Sequence, residues 1–374
     1  MDEFIVSPDE MLRDYEDINV AAPMVRYSKL PFRRLVSLYN CHITHTPMIL
    51  AAEFSRSANA RLTDFSTSSL ERGHFTLEEK RASSSRLVQL DEAPEELCVQ
   101  ETRRRRVRGA LIAQFAASEP EHFADAVELI RPHVDGVDLN CGKYQASLSF
   151  EYKTDNRAEI LEFAGCPQSW AYHEQIGCWL LRHPDKIADM IRAAKNRVES
   201  SFPVSIKIRV DLDLKITERL IQTAIHAGVS HITVHGRTRF QASTQPVSLS
   251  SISFAVSAAR GSVPVVANGD AWDMNEVRKI RKETQADGVM SARGLLANPA
   301  LFSDFEVTPH EAIKNFVHIS TGYGLLFPLF HRHLLFMLES QLSRHERTYF
   351  NSLCSYAGII DYLETRDPTV TIPP

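Results

Sequence analysis

Short, β-branched, apolar runs recur along the chain at intervals that leave room for a helix between them. They are Ile18–Met24, Ile43–Ile49, Ala110–Ala116, Val134–Asn140, Val204–Val210, His231–His235, Val263–Asn268 and Gly288–Ala292. Such runs read as buried parallel strands, and the segments between several of them carry helical periodicity. The clearest is Pro184–Val198, where Ile187, Met190, Ile191, Ala194 and Val198 fall on one face and Pro184 sits where a first turn tolerates it. Eight strand-helix units over about 280 residues predict a (β/α)8 TIM barrel with insertions rather than a doubly wound sheet. No GxGxxG follows the first run.

Beyond Phe302 the strand pattern stops. Ile313, Phe316, Leu334, Met337, Leu338, Leu342 and Ile359 mark amphipathic helices. The expected organisation is an acidic N-terminal segment (1–17), a barrel (18–302) and a small all-helical domain (303–374). Two insertions interrupt the barrel. Glu71–Arg108, rich in Glu, Ser and Arg, reads as a long low-order loop, and Lys143–Gly165 follows the fourth strand.

Composition adds limits. Of 374 residues, 44% are hydrophobic and 24% charged, which is ordinary for a soluble globular chain. Residues 1–20 are acidic apart from Arg13, the reverse of a targeting segment, and stretches such as Leu325–Phe330 are far too short to span a bilayer. The six cysteines lack CxxC or CxxH spacing, which argues against a disulfide framework and a zinc site. A metal-free, cytoplasmic protein is expected, with the nucleus also open. The net charge of −5 predicts no affinity for nucleic acid by itself. Two basic clusters stand against it: Arg103–Arg108, five of six residues arginine, and His331, Arg332, His333, Arg344, His345 and Arg347. Each reads either as solvated surface or as the footprint of a polyanion.

In a TIM barrel, chemistry sits at the carboxyl ends of the strands. Here those ends read Ala22-Pro23-Met24, Gln114-Phe115-Ala116, Asp138-Leu139-Asn140-Cys141-Gly142, Lys207-Ile208-Arg209, His235-Gly236-Arg237, Asn268-Gly269-Asp270 and Ala292-Arg293-Gly294. The last two follow strands seven and eight, where such barrels commonly bind phosphate. Gly269 and Gly294 would let backbone N–H groups approach an anion, and Arg293 would add a charge-assisted bond. A phosphorylated cofactor is expected. Lys207 and His235 would point into the same mouth, where a fixed cation can stabilise the anionic edge of a reduced flavin. The rival reading has Lys207 neutralised by Asp138 or Asp270.

The strings AAPMVRYSKLPFRRL, TPMI, LIAQFAA, DGVDLNCG, CPQSWA, VSIKIR, ITVHGRT, PVVANGD and DGVMSARGLLANP resemble the tRNA-dihydrouridine synthase family nearly end to end across the barrel, most closely its eukaryotic branch acting on D-loop positions 20a and 20b. The resemblance implies that NADPH, or NADH, reduces bound FMN, that hydride passes to C6 of a uracil ring, and that a cysteine protonates C5. It implies Pro23, Met24, Val25, Gln114, Lys207, His235, Asn268, Gly269, Asp270, Ala292 and Arg293 as FMN residues, Asn140 facing the uracil and Cys166 as the general acid. tRNA is the implied partner, met on its backbone by Arg332, Arg344 and Arg347, and the protein is expected to be a monomer. A neutral thiol with a pKa near 8.5 suits the acid's role, being protonated at pH 7 yet able to release its proton. Cys141 is expected to pack against the barrel wall.

One departure from the family matters. There the cysteine follows Asn-Cys-Gly directly, whereas here the 23 residues Lys143–Gly165 separate Gly142 from Cys166. The insert has no cofactor or anchor motif and reads as a retained intron that breaks the catalytic loop; Cys166 reaches the flavin only if the extra segment loops out. Two alternative functions follow: an FMN barrel acting on a small molecule, such as a dihydroorotate dehydrogenase or an ene-reductase, and an inactive tRNA-binding homologue.

Overall fold

The computed structural model describes residues 4–80, 103–142 and 171–366. Eight parallel strands close into a barrel. They are β1 (Ile18–Ala21), β2 (Ile43–His45), β6 (Ala110–Ala116), β7 (Gly136–Cys141), β8 (Val204–Val210), β9 (Ile232–Thr238), β10 (Val265–Asn268) and β11 (Gly288–Ser291). Hydrogen bonds run from β2 through β1 and β11 down to β6, and β2 pairs with β6 to close the ring. A two-residue strand, β3 (Ile49–Leu50), adds to the end of β6. All eight expected strands are present.

The strands alternate. Leu139 and Cys141 on β7, Ile206 and Ile208 on β8 and Val234 on β9 belong to one continuous core with the surrounding helices, among them Pro184–Arg197 with Ile187, Met190, Ile191 and Ala194. The residues between them face the barrel axis. This period of two is the pleat of a β-strand, and it separates the apolar row from the inward row.

Glu71–Arg108 is not a low-order loop throughout. His74–Glu78 (β4) and Arg104–Arg108 (β5) pair as an antiparallel hairpin, while residues 81–102 lie outside the described residues. Phe75, Leu77 and Val107 join Met11 and Leu12 of the helix Pro8–Asp14, and together they cover Ile18, Val20, Ile43, Ile112, Val266 and Met290 inside the barrel. Hairpin and helix thus form a floor at the amino ends of the strands. Met11 and Leu12 hold the acidic segment there, and a capping box, Ser7 with Glu10, starts its helix. The arginine run is paired as well: Arg104 with Glu78 at 3.7 Å, Arg105 with Glu79, and Arg108 with Asp135 at 2.5 Å. It therefore lies at the end opposite the mouth, with three of its charges answered by carboxylates.

The helices His310–Gly322, Phe327–Leu338, Arg344–Ser352 and Tyr356–Arg366 gather Phe316, Phe330, Leu334, Met337, Phe350 and Ile359 into a second core, which Leu35 of the barrel helix Leu30–Ser37 enters. His333 is fully buried there, stacked on Phe32 at 4.9 Å and edge-on to Tyr27 at 5.4 Å. Burial pushes its pKa down to about 3, so it is neutral packing and not part of a basic surface. His331 stacks between Phe327 and Phe350, and burial lowers its pKa too. No helix among the described residues is long and apolar enough to cross a membrane.

Candidate active site

The inward rows of β7, β8 and β9 are polar. Asp138 and Asn140, then Ser205, Lys207 and Arg209, then Thr233, His235 and Arg237 climb from the barrel interior toward the carboxyl ends. They open, with Gln114 of β6 and Asn268 of β10, into a cavity of about 700 Å³ at the mouth. Pro23, Met24, Val25, Asn140, Asp270, Ala292 and Arg293 also line it. One pocket of this size can take a ligand as large as a mononucleotide cofactor.

Lys207 is a half-buried cation of this wall, beside the buried Arg209 and Arg237. Its Nζ donates to Asn268 Oδ1 at 2.9 Å, and Asn268 Nδ2 donates in turn to the Met290 carbonyl at 3.1 Å. Neither Asp138 nor Asp270 takes it as a direct partner: Asp138 is held by Gln114 and Ser205, and Asp270 by Arg237 and Arg293. Burial pushes the Lys207 pKa down to about 8, against the opposing field of Asp138. Beside it, Arg237 Nη1 donates to His235 Nε2 at 3.1 Å. Burial first, then the neighbouring cations, drive the His235 pKa far down, so the ring is neutral and carries its proton on Nδ1.

Arg293 stands next to this group, because Asp270 bridges it to Arg237. Its Nη2 lies 2.8 Å from Asp270 Oδ1 and its guanidinium stands over the Trp272 ring at 5.0 Å. Gly294 is required sterically, because a Cβ there would run into the Ala271 carbonyl oxygen and come within 2.8 Å of Leu301. Gly269 is needed sterically as well, since a Cβ there would come within 2.7 Å of Val247. The turn after β1 is tied down by Ser28. Its Oγ accepts from Met24 N–H at 2.8 Å and donates to the Ala22 carbonyl at 3.0 Å.

Asn140 is on the wall, Oδ1 accepting the Gly142 N–H at 2.8 Å and Nδ2 directed at Met48 Sδ. Cys141, one residue on, points into the packed wall, where its thiol donates to the Leu139 carbonyl at 3.7 Å and burial raises its pKa well above the ordinary thiol value. Cys166 and the segment Lys143–Gly165 lie outside the described residues. Arg332, Arg344 and Arg347 do not line the cavity. Arg332 stands over Phe336 at 4.7 Å, and Phe336 and Glu339 form part of the cavity wall. Arg347 is engaged with Glu339, by an ion pair at 3.4 Å and a bond to its carbonyl at 3.0 Å. Arg209 and Arg237 are among the strand ends read from the sequence but received no role there, and Trp272 and Phe336 were not named. The first two carried a signal, each lying two residues beyond an inward residue on the same strand; Phe336 had none, because it arrives from the helix Phe327–Leu338.

Fold and mouth together define a (β/α)8 barrel enzyme whose site, at the carboxyl ends of its strands, is built from fixed cations and amide groups. The chain belongs to the dihydrouridine synthase (Dus) family, whose profile matches residues 20–143 and 158–356. It is 38% identical to the human tRNA-dihydrouridine(20a/20b) synthase [NAD(P)+]-like protein, over 95% of this chain and 93% of that one. It is 36% identical to the Schizosaccharomyces pombe tRNA-dihydrouridine(20a/20b) synthase [NAD(P)+], over 95% and 89%, and 32% identical to that of Saccharomyces cerevisiae, over 92% and 78%. The family profile passes over 144–157 alone, a narrower interruption than Lys143–Gly165.

Proposed function

We propose that this chain reduces the C5–C6 double bond of uridine in the tRNA D-loop, at positions 20a and 20b, with FMN in the cavity and NAD(P)H as reductant. Membership of the family and the names of the relatives support the reaction; the observation that carries the site is Lys207, a half-buried ammonium fixed at the mouth beside a neutral histidine. The residues present fit FMN. Lys207 keeps N–H donors beyond the one given to Asn268, for the electron-rich ring edge, while Arg293 offers a cation at the phosphate end. FMN, when bound, supplies the two-electron chemistry, passing reducing equivalents from NAD(P)H to the uracil ring. Lys207 offsets the negative charge that reduction builds up, Asn140 orients the uracil, and Cys166 delivers the proton to C5. The visible spectrum of the purified protein tests the cofactor: oxidised-flavin bands are expected, and a colourless protein that takes up no FMN would sink the proposal.

Lys207→Ala is expected to lower kcat by about 10²–10³-fold, the usual loss for one charge-stabilising donor, with no fall in melting temperature beyond that due to lost ligand. Because the Lys207 pKa is near 8, its charge is present at pH 7 and is lost as pH rises through that value. The rate of flavin reduction by NAD(P)H, which does not draw on the Cys166 proton, should therefore decline above about pH 8 in the wild type, and this limb should be missing from Lys207→Ala. A collapse of melting temperature would make Lys207 structural.

For tRNA we propose the backbone-binding surface at Arg332 and Arg344, with Arg347 secondary because Glu339 already neutralises it. Arg332→Glu and Arg344→Glu should each weaken binding across different tRNAs and reduce the slope of log affinity against log salt by about 0.7–0.9 per lost contact. An unchanged slope would put the tRNA surface elsewhere.

A further inference from the structure

Beneath the mouth, Asp138 is fully buried and both its oxygens are engaged. Gln114 Nε2 donates to Oδ2 at 2.8 Å and Ser205 Oγ donates to Oδ1 at 2.8 Å. Burial raises its pKa to about 6, with Gln114, Ser205 and Lys207 opposing, so at neutral pH it is a carboxylate and can only accept. That decides which way round the Gln114 amide lies. Turned over, Gln114 Oε1 would meet a carboxylate oxygen with no proton between them, leaving two buried acceptors unpaired. Gln114 lines the cavity, and no described residue donates to its Oε1. Lys207, His235 and Arg237, which line the same cavity, are donors.

We infer that Asp138 is a positioning residue that holds Gln114 Oε1 toward the cavity as an acceptor among donors, suited to the N–H of a cyclic imide whose two flanking carbonyls meet the neighbouring donors. This rests on the proposed function, since the flavin ring and the uracil ring both carry a CO–NH–CO edge. Asp138 acts through Gln114 and need not touch either ring. An isosteric change separates this role from packing: in Asp138→Asn the new amide can donate to Gln114 Oε1, and the glutamine is free to turn.

The test follows the imide proton itself. Protein is reconstituted with FMN labelled with ¹⁵N at N3, and separately the flavin-loaded protein is bound to a short single-stranded RNA carrying ¹⁵N3-uridine. In the wild type the imide proton of one of the two rings should be shifted downfield and slow to exchange with solvent. In Asp138→Asn it should exchange at least about tenfold faster, the loss of roughly one buried hydrogen bond, and Gln114→Met should do the same. The ring that responds identifies the occupant. An imide proton unchanged by Asp138→Asn, or by Gln114→Met, overturns the inference, as does a wild type that protects neither. If no FMN is taken up, the flavin reading fails, and the RNA arm, run then on the flavin-free protein, still decides the role of Asp138.

Discussion

Replacing Cys166 by alanine is expected to lower dihydrouridine formation by about 10²–10⁴-fold, the range for a lost general acid, while FMN binding and NAD(P)H oxidation stay nearly intact. Reduction of the flavin does not need the proton that C5 needs, so uncoupling of the two half-reactions is the signature. The wall around β7 sharpens the comparison with Cys141. Cys141 is outward, fully buried and bonded to the Leu139 carbonyl, with its pKa raised by burial; a thiol so placed neither reaches the cavity nor releases its proton readily. Cys141→Ala should be mild in activity. The assay is dihydrouridine in tRNA, run on this chain and on a version lacking Lys143–Gly165, which restores Asn-Cys-Gly directly before Cys-Pro-Gln. Activity confined to the shorter form, abolished there by Cys166→Ala, would support both the acid's identity and the retained-intron reading of the insert. A larger loss from Cys141→Ala in either form would refute the assignment.

Arg33→Ala should cost about 3–5 kcal/mol of stability, because it strands a carboxylate in the protein interior. Arg33 Nε lies 2.5 Å from Glu71 Oε2, and the two side chains are 2% and 0% exposed. Thr67 Oγ1 and Ser68 N–H complete Glu71 at 2.6 and 3.1 Å, while Arg33 also donates to the carbonyls of Ser28 and Ser66, both at 2.6 Å. The bond to Ser28 links this pair to the active site, since Ser28 ties the Ala22–Met24 turn on the cavity wall. Chemical denaturation should show the loss, and affinity for FMN should fall with it. A shift below about 1 kcal/mol would mean that water enters and solvates Glu71.

Period-two and period-3.6 spacing are local properties, carried by each segment whatever surrounds it. That is why the eight barrel strands, the helix Pro184–Arg197 and the amphipathic helices after Phe302 could be read from residues alone. Val204–Val210 alternates, so Ser205, Lys207 and Arg209 fall on one face of the strand. Strand-end glycines, cations and amides likewise marked the mouth, because a parallel barrel puts all its carboxyl ends together. Partners distant in sequence could not be read. Arg104–Arg108 looks like solvated charge until His74–Glu78 pairs with it and Val107 turns into the floor. His333 and Arg347 look like surface bases until Phe32 covers one and Glu339 answers the other. Lys207 finds Asn268 rather than a carboxylate because Gln114 and Ser205 occupy Asp138, and Arg237 and Arg293 occupy Asp270. Spacing along the chain dictates which face a residue takes, but which group it meets across that face depends on chain closure and desolvation, and those exist only once the barrel has formed.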